Sequence, residues 1–265
     1  MASLSVEQSG VVATLVIENA GKRNALSAEL WQQFDSLLSG LAADASVKVL
    51  IVRGAGEDFS AGADIRELDR ILHAPTGHDG GYLTQAENAL ARFPKPTIAA
   101  IDGYCVGGGW QLAAACDIRV ASTRATFGVT PSRIGIVYPL SGIERLVSIA
   151  GPAVAKYLLF SGDLVSAATA ERWGMVTSVV EATELWSEAA SLAHRLAARS
   201  QLSIHAMKQI VDAVESTADA SNGHAASVNE HWQGEVVESD DPAIGAAAFA
   251  AKQPPQFTWA PRVRR

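Results

Sequence analysis

At 265 residues with 48% apolar content, the chain can bury a substantial core and is most simply one domain with an appendage. A net charge of −7, with no basic tract beyond a terminal "RVRR", argues against broad nucleic-acid binding. No run of about 18 apolar residues offers a membrane span, no leading stretch resembles a signal peptide, and Cys105 and Cys116 lack metal-like spacing, so a soluble, cytoplasmic, reduced protein is expected.

The first elements read as strands, Leu4–Gln8 and Val11–Ile17, joined as a hairpin by a Ser9-Gly10 turn. After a polar link, Leu30, Phe34, Leu37, Leu38 and Leu41 recur at helical spacing, with Ser27 as N-cap. Val47–Arg53 is a short buried strand. Arg66–His73 reads as helix, Ala74–Gly81 ("APTGHDGG") as loop, and Tyr82–Phe93 as helix stopped by Pro94. Strands follow at Thr97–Ile101 and Ile118–Ala121, with a helix from about Gly109 to Cys116 between them. This alternation predicts an α/β architecture of repeating ββα units.

From Ser141 the pattern turns helical: Ser141–Ala150, Pro152–Phe160, Ser166–Trp173, Glu184–Arg199 and Ile204–Glu215. Pro152 suits a first helical position and Ser166 a cap. The stretch from about Asn222 to Ala251 is mostly helical, broken near Asp240, Asp241 and Pro242. A core over residues 1–200 and a helical region over 201–265 are the expected divisions.

Two segments carry most of the chemistry: "FSAGADI" (Phe59–Ile65) and "GYCVGGGWQLAAACD" (Gly103–Asp117). Each follows an apolar, β-branched run and opens a helix. Small residues there let main-chain N–H groups point outward, and two such junctions together supply two donors to one oxygen. That arrangement would stabilise an enolate or other oxyanion, with Ala63 and Gly108 as the donors; the alternative is that both loops are merely tight strand-to-helix turns.

Together with "GKRNALS" (Gly21–Ser27) and "ATFGVTPSRIGIVYP" (Ala125–Pro139), these segments resemble, in order and spacing, the crotonase (enoyl-CoA hydratase/isomerase) superfamily over nearly the whole chain. The resemblance implies a crotonase-type spiral of ββα units with a helical C-terminal trimerisation region, an acyl-CoA thioester as ligand, and a homotrimer or dimer of trimers. No metal and no separate cofactor are implied, since coenzyme A arrives with the substrate. It further implies that Lys22 and Arg23 lie near the CoA phosphates, that Ala25 of the same loop also contacts CoA, and that the backbone of the segment with Ala61, Asp64 and Ile65 holds the adenine. Phe249 and Lys252 ("AFAAK") would reach the nucleotide from a neighbouring subunit. Asp117 would support the fold by bonding local backbone.

The departures are chemical. The two glutamates that position and activate water in hydratases of this family fall on Gln111 and Pro131. Gln111 exchanges hydrogen bonds but takes no proton near neutral pH, and Pro131 has no polar side chain. Positioned acid–base groups are worth about 10²–10⁴-fold in rate, so a poor hydratase is expected. The single glutamate of the isomerases is missing as well. "FGVTPSRIGIVYPLSGIERL", with Thr130, Pro131 and Tyr138, is similar to the matching stretch of methylmalonyl-CoA decarboxylases, whose tyrosine lies near the departing carboxylate; Ala63 stands where those have histidine. Decarboxylation needs an electron sink at the thioester carbonyl and no carboxylate base, so a decarboxylase-like lyase step on a short acyl-CoA is favoured. A weak hydratase and a non-catalytic acyl-CoA binder are the alternatives.

Other readings are bland. Tyr138 has a structural role open to it, its ring in the core and its hydroxyl on backbone. Glu144 is expected in an exposed ion pair with a nearby arginine, and His73 and His78 as solvated loop residues. Ser60 superficially suggests a nucleophile elbow, but Asp58 stands where the elbow glycine belongs; neither G-x-G-x-x-G nor a P-loop occurs.

Overall fold

The computed structural model describes residues 2–77, 79–215 and 223–261. The chain begins with β1 (Ser3–Ser9) and β2 (Val12–Glu18), an antiparallel hairpin turned at Gly10, followed by α1 (Ala28–Ala43) and β3 (Val49–Gly54). A 3₁₀ turn at Ile65–Glu67 leads into the five-residue α2 (Leu68–Leu72), then α3 (Gly81–Ala91), β4 (Thr97–Ile101), β5 (Tyr104–Val106), α4 (Gly108–Ala115), β6 (Ile118–Ser122) and β7 (Thr126–Gly128). The remainder is α5 (Pro131–Ile134), α6 (Leu140–Ser161), β8 (Leu164–Ser166), α7 (Ala167–Arg172), β9 (Ser178–Val180), α8 (Leu185–Ala197), α9 (Gln201–Glu215), α10 (Gly223–Val237) and α11 (Asp241–Ala251).

Six strands form one sheet in the order β1-β2-β3-β4-β6-β9, parallel throughout except at the first hairpin. The inner strands read as unbroken apolar runs because both faces are covered; all five residues of β4 are buried. One face packs Val49, Ile51, Ile98 and Val120 against Leu185, Ala189 and Ala193 of α8. The other carries the larger core, with Trp31 and Phe34 of α1, Leu90 of α3 and Trp110 of α4. A second sheet, β5-β7-β8, continues beyond β4, so the chain leaves one sheet at Ile101 and joins the next at Tyr104.

All eight residues of α4 are buried. Apart from Gln111 the helix is apolar all round and so belongs in an interior, and its short, Gly- and Ala-rich sequence lets neighbours close on every side. Trp110 meets Phe127 of β7 edge-on, with ring centroids 6.0 Å apart. Ser27 caps α1 and Ser166 caps α7, each side chain accepting a backbone N–H from the first turn, as predicted.

The predicted helix over Arg66–His73 is shorter than expected. Asp64 accepts the Arg66 N–H and opens the 3₁₀ turn instead of an α-helix. α6 is broken at Gly151 (φ 77°, ψ 162°) before Pro152, at the predicted division between two helices. Trp232 of α10 packs on Leu202 and Ala206 of α9, with Trp259 against them. The buried Asp241 carboxylate accepts the Ser200 hydroxyl at 2.6 Å and the Thr258 and Trp259 N–H groups at 3.0 and 3.2 Å, tying the segment after α11 to this helical pair. Among the described residues no helix is long and apolar enough to cross a membrane. His78 and residues 262–265, the "RVRR" tail, lie outside the described residues.

Candidate active site

The loop after β3 is organised by Ser60. Its buried hydroxyl donates to the Asn24 carbonyl at 2.8 Å and accepts the Gly62 N–H at 3.0 Å. The Ser60 backbone pairs with β5, Ser60 N–H to Tyr104 O at 2.8 Å and Val106 N–H to Ser60 O at 3.0 Å. Ser60 is therefore a structural hub rather than a nucleophile. Ala61 N–H donates to Arg23 O, Asp64 N–H to Leu26 O, and Leu26 N–H to Gly62 O, all within 2.9 Å. From 60 to 64, only the Ala63 N–H has no acceptor among the described residues.

The second loop leads from β5 into α4. Gly107 N–H donates to Gly128 O at 2.9 Å, while Gly108 stands at the first helical position, where N–H groups have no intrahelical acceptor. The two loops touch at Gly62. A Cβ there would lie 2.6 Å from Gly108 N and 2.7 Å from Val106 O, and its φ of +89° suits only glycine.

Ala63 and Gly108 line one cleft of about 100 Å³ with Gly107, Gln111 and Ala61; Leu68, Leu72 and Leu83 close one wall and Thr130, Pro131, Ile134, Ile136 and Tyr138 another. The residues lining it include no carboxylate, histidine, lysine, arginine or thiol. Pro131 opens α5 and offers the cleft only carbon, as its sequence position implied.

Gln111 lies one turn into α4 and is 1% exposed. Its Nε2 donates to Glu87 Oε2 on α3 at 2.7 Å. Glu87 is wholly buried and also accepts the Ser141 hydroxyl at 3.3 Å and the Arg145 guanidinium. Burial pushes the Glu87 carboxyl above its ordinary value, against the opposing pull of the Arg145 charge and the three hydrogen bonds. A carboxylate only accepts, so Gln111 must turn its NH₂ toward it, and Oε1 is left without a donor among the described residues. The sequence reading missed Glu87. Its signal was a charged residue among Leu83, Ala86 and Leu90 on the buried face of a helix.

Tyr138 is 7% exposed, and its hydroxyl donates to the Gly107 carbonyl at 3.1 Å. Burial, then the nearby Glu87 charge, raises the phenol well above its usual value, so it remains a donor at any working pH. Glu144 is a correction: it is exposed but forms no ion pair among the described residues, and the neighbouring Arg145 pairs with Glu87 instead. His73 is exposed and sits 2.9 Å from Asp69, outside the cleft.

A shallow groove of about 340 Å³ adjoins the cleft and shares Ala61, Ala63 and Ile65 with it; Lys22, Ala25, Asp64 and Arg66 complete its lining. Lys22 and Arg66 both reach the Asp64 carboxylate, at 3.1 and 2.7 Å, and the Arg66 hydrogen bonds hold that carboxyl far below its usual range. Arg23 is not part of the groove; its guanidinium lies 3.8 Å from the centre of the Tyr104 ring. Phe249 and Lys252 sit at the end of α11, with Phe249 88% exposed and neither in the groove. Asp117 accepts the Thr97 N–H at 2.8 Å and pairs with Lys208, the structural role expected of it.

A larger cavity of about 580 Å³ lies at the other end of α4, where Arg119 donates to the Met175 and Cys116 carbonyls. Its cations are committed to internal partners, and it contains neither of the two free loop amides. No group of three metal-ligating side chains occurs among the described residues.

A family model described as enoyl-CoA hydratase/isomerase matches residues 7–260. A short-chain-enoyl-CoA hydratase of Clostridium acetobutylicum is 34% identical over 209 residues, covering 78% of this chain and 80% of that protein. Among solved structures, an enoyl-CoA hydratase/isomerase family member superposes with a TM-score of 0.92 at 38% identity, covering 99% of this chain and 98% of that one. The enoyl-CoA hydratase of Bacillus anthracis gives 0.87 at 27% identity, covering 96% and 98%.

Proposed function

The chain belongs to the enoyl-CoA hydratase/isomerase family, and on that premise we propose that it binds a short acyl-CoA, stabilises its thioester enolate, and uses that enolate for a decarboxylase-like lyase step ahead of hydration. The observation that carries the reading is the pair of amides, Ala63 and Gly108, that have no acceptor among the described residues and line one cleft with no carboxylate in its lining. Two such donors placed where charge develops supply the largest single term in acyl chemistry of this kind.

In the proposed step the bond between the α-carbon and its carboxylate breaks and CO₂ leaves. The bonding pair moves into the α-carbon–carbonyl bond, and negative charge collects on the thioester oxygen between the two N–H groups. The α-carbon then takes a proton from water. A carboxylate base lining the cleft would repel such a substrate, and none lines it. The coenzyme A moiety would lie along the groove of Lys22, Ala25, Ala61, Asp64 and Ile65, with Arg23 beside it. Phe249 and Lys252 would complete that site from a second copy in a homotrimer or dimer of trimers, and the protein would act in the cytoplasm.

Hydration needs a group that takes a proton from water, and Gln111 with Pro131 supplies none. The test is to give the protein methylmalonyl-CoA and crotonyl-CoA separately, following CO₂ release and loss of enoyl absorbance. CO₂ release, with crotonyl-CoA hydration slower by about 10²-fold or more, is the expected result. Rapid hydration without CO₂ would replace the proposal with an ordinary hydratase. Tight retention of both thioesters without turnover would make the protein a binder.

A further inference from the structure

We propose that Tyr138 is a positioning residue that sets the strength and direction of one oxyanion donor, acting through the peptide unit between Gly107 and Gly108; this rests on the function proposed above. The Tyr138 hydroxyl donates to the Gly107 carbonyl oxygen at 3.1 Å, and the nitrogen of that same peptide unit is Gly108 N. A peptide is one conjugated group. Donation to its oxygen draws electron density away from nitrogen, so the N–H at its other end becomes a better donor, and hydrogen bonds in series polarise one another. The line runs from phenol to carbonyl, through the amide, to the ligand's thioester oxygen.

The surrounding bonds hold this peptide in one orientation. Gly107 O also accepts the Gln111 N–H at 3.1 Å, so both its lone pairs are engaged. The adjoining peptide is anchored by Gly107 N–H donating to Gly128 O at 2.9 Å. The Tyr138 ring lies against α6, where a Cβ on Gly142 would stand 2.8 Å from its Cε1, so the ring cannot swing toward that helix. The hydroxyl's single proton is spent on Gly107 O, leaving only lone pairs for a ligand. The tyrosine thus reaches the thioester oxygen through backbone, although its ring also lines the cleft.

The experiment compares the full-length protein carrying Tyr138, Tyr138→Phe and 3-fluorotyrosine at 138, each bound to butyryl-CoA labelled with ¹³C at the thioester carbonyl. Isotope-edited infrared difference spectra report the carbonyl stretch, and turnover is measured on whichever thioester the protein consumes. The stretch should fall to lower frequency on binding to the unmodified protein. Tyr138→Phe should recover part of that shift and lower kcat about 10-fold, with KM within about 2-fold. The fluorinated phenol, a stronger donor of nearly the same size, should deepen the shift. A filler of space alone would leave the frequency unmoved across the three.

No shift in the unmodified protein sinks the oxyanion site itself. A shift of equal size in all three proteins overturns the role of Tyr138 and leaves the site standing. Should Tyr138→Phe fail to fold, the fluorotyrosine comparison alone decides, because its ring fills the same space.

Discussion

The side-chain nitrogen of Gln111 lies 2.7 Å from a carboxylate oxygen of Glu87, placing an acid directly behind the residue that faces the cleft. The carboxylate is buried and does not line the cleft, and it is balanced by Arg145 and Ser141. An acid thus stands close behind the cleft while an amide lines it.

Replacing Gln111 with glutamate forces a second carboxyl against Glu87 with only Arg145 to balance them. The folded pKa of the pair rises, and a carboxyl raised in the folded state costs stability above its unfolded value and ceases to as pH falls below it. Gln111→Glu should lose about 2–4 kcal/mol near pH 8 and regain most of it near pH 4. Urea unfolding at both pH values checks this; an equal deficit at both would rule out the coupling. Crotonyl-CoA hydration should stay slow, because Pro131 still supplies no second acid.

Gly62→Ala drives a methyl group into Gly108 N and Val106 O from a left-handed backbone position. The loops must separate, and the two donors with them. We expect a fall of about 10²–10³-fold in kcat/KM, the scale of losing one oxyanion donor, alongside a lower Tm. Unchanged turnover would mean that the contact between the loops has no bearing on the chemistry.

Burial, then the Lys95 and Lys208 charges, pushes the His205 ring down to about 4. The unfolded chain takes up this proton near pH 6.5 and the folded chain does so later, so stability is lost as pH falls from about 6.5 toward 4. His205→Gln should flatten that part of the curve of unfolding free energy against pH by about 1–3 kcal/mol. It should also cost a little at neutral pH, since the ring lies edge-on to Trp259. Parallel curves for the two proteins would contradict the assignment.

Asp241→Ala removes one acceptor from the Ser200 hydroxyl and another from two backbone N–H groups. The loss should be about 2–3 kcal/mol, felt first in the segment around Trp259. Hydrogen exchange should show residues 256–260 losing protection while β3 and β4 retain theirs.

What the sequence discloses here follows from reach. Ser27 and Ser166 cap their own helices, and β4 ends where its apolar run ends, because those signals act within a few residues. The two small-residue loops were legible for the same reason. β5, β7, β8 and β9 are three residues each, too short for alternation to register, and exist only because neighbouring strands pair with them. Glu87 is missed and Glu144 misjudged for one reason. Which carboxylate meets Arg145 depends on α3 lying beside α6, a contact between residues 58 apart in the chain.

The enclosure of α4 divides the cleft into a half that cannot vary and a half that can. Any enlargement of Gly108, Gly109 or Trp110 must displace packed neighbours, so that end of the cleft tolerates almost no change. The facing wall comes from short helices and loops around Leu68–Leu83 and Thr130–Pro139 that no sheet pins from both sides. On the proposed function, retargeting the protein to a different acyl tail would be a matter of rebuilding those two segments, with the two loop amides left in place.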